Sequence, residues 1–149
     1  MNIANSAKEM HEKKISYSAS AADEVRVMTD AVLEIVSLTI AAFVDNNIEN
    51  ATRVEPLEEV IDMLQTEIRT NHIIRLKNNE CTIELGFILT DMLTDLERVS
   101  DHCSNIAGCI IEITHKSLGM HGYIRSLKSG NEVYDEYLSD YSRKYKISI

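Results

Sequence analysis

The chain has 149 residues and a formal net charge of −9. It is long enough for one domain with a hydrophobic core, and too acidic for a typical binder of nucleic acid or of anionic membranes. A single proline, five glycines and no tryptophan, together with abundant leucine, isoleucine, alanine and glutamate, favour helices over strands. The three cysteines, Cys81, Cys103 and Cys109, show neither a metal-ligand spacing nor a disulfide pattern, which indicates buried or half-buried free thiols in a reducing cytoplasm.

Targeting and membrane signals are weak. Residues 1–20 contain no apolar segment typical of a signal peptide. The longest apolar run, residues 32–44, is interrupted by Glu34, Ser37 and Thr39 and is shorter than a membrane span. A glycine-rich phosphate loop is also missing from the sequence, and the acidic balance is unusual for a direct phosphate binder. We therefore expect a chain without a spanning helix.

Periodic apolar residues predict two long helices in the first half of the chain. The first helix runs from about Ala19 to Asn46, and residues 45–50 form a turn because adjacent asparagines favour local side-chain bonds. The second helix runs from about Ala51 or Glu55 to Lys77, with Pro56 tolerated only near its beginning. The apolar stripes that carry this prediction are Val25, Met28, Val32, Ile35, Leu38 and Ala42 in the first helix, and Leu57, Val60, Ile61, Leu64, Ile68 and, at the margin, Ile74 in the second.

A third long helix completes the predicted architecture. It spans about Thr82 to His115. Because three long helices joined by short turns must be antiparallel neighbours, residues 19–117 are predicted to form an all-α, up-down-up three-helix bundle. The stripe of the third helix comprises Leu85, Leu89, Met92, Leu96, Val99, Cys103, Ile106 and Ile110.

The two ends of the chain are predicted to lie outside this bundle. In the C-terminal tail, residues 118–149, Gly119 and Gly122 end the helical pattern, a short segment covers residues 123–127, and a tyrosine-rich helix follows over residues 132–145. The tail is too weakly apolar to stand alone and should dock on the bundle or on a second copy of the chain. Its predicted apolar positions are Val133, Tyr137, Leu138 and Tyr141.

The N-terminal lead-in, residues 1–18, contains a short internal repeat. Residues 2–4 read Asn-Ile-Ala, and the same tripeptide recurs at residues 105–107, near the end of the third helix. In both places a run with helical spacing follows. The repeat raises the hypothesis that residues 2–15 are the end of an upstream copy of the third helix, in which case the chain is a fragment of a longer protein.

Carboxylates four residues apart are the main candidate site. Glu97 and Asp101 share one face of the third helix, Asn105 extends the row, and Glu58 and Asp62 form a matching pair on the second helix. At about 100° per residue, the row on the third helix lies roughly 130–170° from the apolar stripe and is expected to point away from the core. Two interpretations stay open: a solvated acidic face, or a site for a hard cation such as Mg²⁺, Ca²⁺, Mn²⁺ or iron.

Other catalytic arrangements are poorly supported. A di-iron bundle would need two Glu-x-x-His pairs, and only Glu112 and His115 have that spacing. His102, near Asp95, fits an interhelical hydrogen bond better than a ligand role. We find no nucleophile with a base and an orienting group, so the sequence predicts a protein that is not an enzyme.

Three segments resemble the PhoU family of all-helical regulators of phosphate uptake. KKISYSASAADEV, residues 13–25, is similar to the lead into that family's first helix, and residues 54–76, VEPLEEVIDMLQTEIRTNHIIRL, look like its middle helix. DLERVSDHCSNIA, residues 95–107, resembles its signature third helix. The closing segment HGYIRSLKSGNEVYDEYLSDYSRKYKI, residues 121–147, resembles the C-terminal end of sodium/phosphate cotransporter-type membrane proteins with a PhoU-like cytosolic domain.

The resemblance implies a role and a metal site. PhoU proteins hold two three-helix bundles in tandem, and their E/D-x-x-x-D elements, which fall here on Glu58, Asp62, Glu97 and Asp101, are associated with multinuclear iron or zinc clusters. A chain with one bundle implies self-association. The expected function is non-catalytic regulation of inorganic phosphate transport, through contact with a phosphate transporter or its membrane domain at the cytoplasmic face of the plasma membrane. The alternatives are a metalloenzyme or metal store using the same carboxylates, and a plain helical scaffold.

Overall fold

A computed structural model of the chain describes residues 3–115 and 132–147. The prediction of a break at Gly119 and Gly122, and of a short segment over residues 123–127, lies outside the described residues. The described part is helical, without strands, and the predicted all-α class is confirmed. Its helices are α1 (Ile3–Lys13), α2 (Ala19–Val44), α3 (Ile48–Lys77), α4 (Ile83–His115) and α5 (Glu132–Lys144).

Side-chain caps set where the long helices begin. Ser18 Oγ accepts a hydrogen bond from the Ala21 N–H at 3.3 Å and caps α2. Asn47 Oδ1 accepts from the Asn50 N–H at 3.1 Å and caps α3. The predicted turn over residues 45–50 is therefore too long, because the asparagine at position 47 starts a helix instead of continuing the turn.

Pro56 lies inside α3 and not near its beginning as predicted. Proline has no backbone N–H, so the Thr52 carbonyl lacks the hydrogen bond that it would accept from residue 56 in a regular helix. This loss normally disfavours a helix at such a position. Pro56 is fully buried among the core residues of α3, between Val54 and Leu57. Burial of the ring against the bundle offsets the lost hydrogen bond, and α3 continues through it.

The core lies between α2, α3 and α4, which contact one another pairwise as the three-helix bundle requires. Most of the predicted stripe residues are buried, but Ile74 is 49% exposed and Ile106 is 44% exposed, so both predictions were wrong. Each lies near the edge of its stripe, where a small rotation of the helix decides between core and solvent. The shared core contains Met28, Ala31, Ile35, Val54, Leu57, Ile61, Ile68, Leu89, Leu93 and Cys103.

α2 is long and apolar enough, by length and composition, to cross a membrane. This differs from the expectation that no apolar run reaches that length. Two of the polar residues that interrupt the apolar run form hydrogen bonds within the helix. The Ser37 and Thr39 hydroxyls donate to the Leu33 and Ile35 carbonyls at 2.8 Å. Met28, Ile35 and other residues on one face of α2 are buried in the bundle core, whereas Leu33, Ile40, Phe43 and Val44 are exposed.

The two terminal helices pack on different helices of the bundle. α1 packs on α4, where Ser6 is fully buried and Lys13 Nζ lies 2.6 Å from Glu84 Oε1. α5 packs on α3, so the tail docks on its own bundle in this structure. Val133, one of the predicted apolar positions, is exposed, and Tyr134 is buried in its place. The domain boundaries after residues 18 and 117 stay predictions.

Tyrosine and arginine side chains join α5 to the bundle. Tyr141 and Tyr145 are buried in the core cluster, and the Arg53 guanidinium of α3 lies 5.5 Å from the centre of the Tyr137 ring. Tyr145 Oη donates to Glu34 of α2, and Lys144 Nζ lies 2.7 Å from the same carboxylate. Contacts to two helices thus stabilise a segment that is too polar to fold alone.

Stability should fall in alkaline solution because the hydroxyl of the half-buried Tyr17 is buried. Burial raises the pKa of Tyr17 to about 12, whereas an unfolded tyrosine ionises near pH 10. The unfolded chain therefore loses this proton first, and the free energy of unfolding should decrease as the pH rises from about 10 to about 12. Denaturant titrations across this range should show a shallower decrease for Tyr17→Phe than for the unmodified chain. Tyr137→Phe corrects for the general effect of removing a hydroxyl, and equal slopes for all three proteins would contradict the prediction.

Candidate metal centre

The rotation of α3 places two of the predicted carboxylates beside α4. Leu57 and Ile61 are fully buried and fix the face of α3 that points into the core. Glu58 and Asp62 each follow one of these residues, so they lie together on one flank of α3, one helical turn apart. Both side chains are half-buried. The pair therefore lies at the edge of the core and not on the outer surface of the bundle.

Asp101 of α4 completes a set of three carboxylates. One carboxylate oxygen from each of Glu58, Asp62 and Asp101 lies within 4.8 Å of the others, and we call these three residues the carboxylate site. The row on α4 was expected to point away from the core; Asp101 instead faces the groove between α3 and α4 and is half-buried. The fourth predicted ligand, Glu97, is also half-buried, one turn before Asp101, but does not belong to this convergent set.

The donor atoms of the carboxylate site suit a hard cation. Mg²⁺ and Ca²⁺ bind oxygen ligands at about 2.0–2.6 Å, so two oxygens on one ion are separated by no more than about 5 Å. The three carboxylates meet that limit. Carboxylates this close also repel one another when ionised, and a divalent cation would reduce the repulsion. An oxygen-only set fits Mg²⁺, Ca²⁺, Mn²⁺ or iron better than zinc, which commonly takes nitrogen or sulfur ligands.

Neighbouring hydrogen bonds hold the groove around the site. Ser104 Oγ of α4 donates to Glu55 Oε2 of α3, and Asn105 Nδ2 donates to the Asp101 carbonyl at 2.9 Å. A groove of about 240 Å³ is lined by Glu55, Glu58, Asp101, Ser104 and Asn105. The structure thus brings residues from both predicted E/D-x-x-x-D elements to one groove, together with polar side chains that fix α3 against α4.

A buried ion pair at the other end of the bundle was not predicted from the sequence. Arg75 Nη1 and Nη2 donate to Glu24 Oε1 and Oε2 at 2.9 and 2.6 Å, and Asn71 Nδ2 donates to Glu24 Oε1 at 2.9 Å. Both charged side chains are buried. The signal available in the sequence was Glu24 itself, a charged residue within the apolar periodicity of α2, but its partner is 51 residues away.

His72 and Cys81 lie beside this ion pair. The imidazole of His72 is buried, and burial together with the nearby Arg75 charge lowers its pKa. Its Nδ1 lies 3.7 Å from Cys81 Sγ. Cys81 is half-buried and Cys103 buried, as predicted, whereas Cys109 is exposed. His102 is exposed on α4 and does not lie between helices, so that prediction was wrong.

Comparison with known proteins identifies the family. A family model described as the PhoU domain matches residues 25–110, which is more than half of the chain and covers most of α2, all of α3 and most of α4. The chain belongs to the PhoU family. The carboxylate site and the bundle core both lie within the matched residues.

A PhoU protein of Thermotoga maritima supports the assignment. The phosphate-specific transport system accessory protein PhoU homolog 1 is 29% identical over 131 residues, which cover 88% of this chain and 55% of that protein. The chain thus spans about half the length of this relative. No solved structure matches the chain.

Proposed function

We propose that this PhoU-family chain is a non-catalytic regulator of inorganic phosphate transport that acts by contact with a membrane transporter. The match to the PhoU domain over residues 25–110 carries this proposal, because it covers the bundle and not one motif. The Thermotoga maritima relative is by its name an accessory protein of a phosphate-specific transport system. Docking is the mode of action that we propose, and the long helices of the bundle offer faces for such contact.

The proposed setting is the cytoplasmic face of the plasma membrane. The similarity of residues 121–147 to the ends of sodium/phosphate cotransporter-type proteins supports a transporter of that type, or its membrane domain, as the partner. Self-association of the chain is also part of this proposal. The membrane setting, the transporter and self-association all concern the partners of the chain and not the fold of the bundle.

We further propose that a metal ion on the carboxylate site modulates docking. Glu58, Asp62 and Asp101 would hold the ion, and Glu97, one turn away, could join them if the site holds more than one ion. The chemistry supplied by the ion would be charge neutralisation and cross-linking of α3 to α4. Binding would therefore alter the stiffness and the charge of one groove, which a docking partner can sense.

The regulatory proposal is tested by phosphate uptake in the host. Removal of this chain should change the rate of radiolabelled phosphate uptake and its response to phosphate starvation. Purified chain should also bind the purified transporter in detergent or nanodiscs. Unchanged uptake together with undetectable binding would contradict regulation by contact.

The metal proposal is tested by elemental analysis of protein purified without a chelator or an affinity tag. We expect stoichiometric metal, and its loss in the variant Glu58→Gln, Asp62→Asn, Glu97→Gln, Asp101→Asn. The control variant Glu49→Gln, Glu67→Gln, Asp91→Asn, Glu112→Gln makes the same charge change at exposed positions of α3 and α4 and should keep the metal. If the protein is purified without metal and binds none when metal is added, the carboxylates form only a solvated acidic face. Tight metal binding without any effect on uptake would favour the alternative of a metal store.

A further inference from the structure

One side of α2 is apolar and exposed although the opposite side lies in the bundle core. Exposed residues at helical steps of three and four form what we call the α2 stripe: Leu33, Ser37, Ile40, Phe43 and Val44. Its apolar members are between 58% and 71% exposed. The only charged residue within residues 33–44 is Glu34, whose carboxylate is turned toward α5 and pairs with Lys144. The α2 stripe itself is therefore uncharged.

The neighbouring helix α4 extends this apolar surface. The Cys103 thiol of α4 interacts with the Thr39 hydroxyl of α2, whereas Ser104 donates to a carboxylate of α3. These two contacts show which flank of α4 borders α2 and which borders α3. Ile106 and Ile113 follow Cys103 by three and ten residues and lie on the flank away from Ser104, and both are exposed. The apolar surface thus spans α2 and the adjoining flank of α4.

None of the described helices covers the α2 stripe. α1 contacts α4 near the beginning of that helix, where Lys13 pairs with Glu84, and α5 packs on α3. A contiguous apolar surface on a folded domain commonly marks contact with another molecule, because burial of that surface is favourable. A helix that is apolar on both sides is likewise typical of a buried position. The exposed side of α2 is therefore suited to packing against a further helix.

Charge distinguishes the possible occupants of the α2 stripe. The chain has a formal net charge of −9, and the exposed residues Asp30 and Asp45 lie just beyond the two ends of the stripe. An anionic membrane surface would be repelled by these charges. Two copies of an acidic chain repel each other least where they meet through an uncharged surface, and the α2 stripe is such a surface. Charge thus favours a second copy of the chain over a membrane.

The spacing of the stripe is also self-complementary. Positions 33, 37, 40 and 44 are symmetric about their centre, so in an antiparallel pair Leu33 lies opposite Val44 of the second copy and Ser37 opposite Ile40. Asp30 then lies opposite the neutral Asn47 and not opposite another carboxylate. The Ser37 hydroxyl already donates to the Leu33 carbonyl at 2.8 Å and can be buried without losing its partner.

We propose that the α2 stripe joins two copies of the chain in a two-fold symmetric dimer, with α2 packed antiparallel on α2. Such closed two-fold contacts are the commonest form of self-association. Ile106 and Ile113 lie at the rim of the contact. The inference rests on the self-association included in the proposed function and names the surface that carries it. The carboxylate site lies on a different side of the bundle, between α3 and α4, and stays outside the dimer contact.

Sedimentation of the full chain over a range of concentrations tests the dimer. Ile40→Glu should raise the Kd of the dimer by about a hundredfold or more, because one carboxylate from each copy would enter an apolar contact. Ile73→Glu makes the same change at an exposed position of α3 outside the stripe and should leave the Kd unchanged. Circular dichroism of each variant verifies that the bundle is folded.

A cysteine at position 37 tests the antiparallel register. The two copies of residue 37 would be offset by three residues, about 4.5 Å along the paired helices, which is within reach of a disulfide. Ser37→Cys in a Cys109→Ser background should therefore form a disulfide-linked dimer with oxidised glutathione. Thr70→Cys in the same background places a thiol on the exposed side of α3 and should stay unlinked.

The outcomes separate this surface from the proposed function. A dimer that Ile40→Glu leaves intact would overturn the assignment of the surface and keep self-association. A chain that sediments as a monomer at every concentration would overturn both. Binding of that monomer to vesicles of phosphatidylcholine and phosphatidylglycerol, with loss in Ile40→Glu, would assign the stripe to lipid instead. Regulation of phosphate transport is measured separately by phosphate uptake, so none of these results decides it.

Discussion

Replacement of Glu24 by glutamine is expected to lower the free energy of unfolding by about 3–5 kcal/mol. The change leaves the Arg75 guanidinium buried without a counter-charge, although both oxygens of Glu24 now accept from it at 2.9 and 2.6 Å. Removal of one partner from a buried pair costs more than the pair contributes, because the remaining charge has lost its solvation as well as its partner. Urea titration monitored by circular dichroism measures the effect.

Two controls isolate the cause of this destabilisation. Asp23→Asn, in the neighbouring residue, breaks the exposed Asp23–Arg26 pair and should cost less than about 1 kcal/mol. The double variant Glu24→Met, Arg75→Met removes both charges and should recover much of the stability lost in Glu24→Gln. If Glu24→Gln is no more harmful than Asp23→Asn, the buried pair does not have the assigned role.

Gly86→Ala is expected to destabilise the protein by about 1–3 kcal/mol, although the same change in an ordinary helix stabilises by about 1 kcal/mol. The sign is reversed because the added Cβ would lie 2.4 Å from His72 Nε2. His72 is buried between the Cys81 thiol and α4, so its ring cannot move away without disturbing its neighbours. Thermal and urea unfolding of the variant measure the change.

The His72→Ala background tests this explanation directly. With the ring removed, Gly86→Ala should become neutral or stabilising, since only the helix preference of alanine then remains. A double-mutant cycle over the two positions should therefore give a coupling energy of opposite sign to the effect of Gly86→Ala alone. Additive effects would show that the close approach of Gly86 and His72 is unimportant.

Local sequence patterns were sufficient to predict much of the fold. The apolar residues of α2, α3 and α4 recur at steps of three and four, and a helix buries whatever lies along one such face. The existence of three long helices and an all-α bundle therefore followed from the sequence, as did the pairing of Glu58 with Asp62 on one turn of α3. The ends of the helices were predicted less accurately than their existence. The cap at Asn47 and the burial of Pro56 depend on neighbours outside the local pattern.

Only the tertiary structure decided which polar residues meet. Glu24 and Arg75 are 51 residues apart in sequence, and Asp101 reaches Glu58 and Asp62 only because α3 and α4 pack at one particular rotation. A rotation of a few tens of degrees would expose Asp101 and bury Ile106 instead. The sequence by itself determined the helices, the position of the carboxylates along them and the resemblance to the PhoU family. The packing of the helices determined which side chains converge, because helix rotation depends on contacts between side chains that are distant in the sequence.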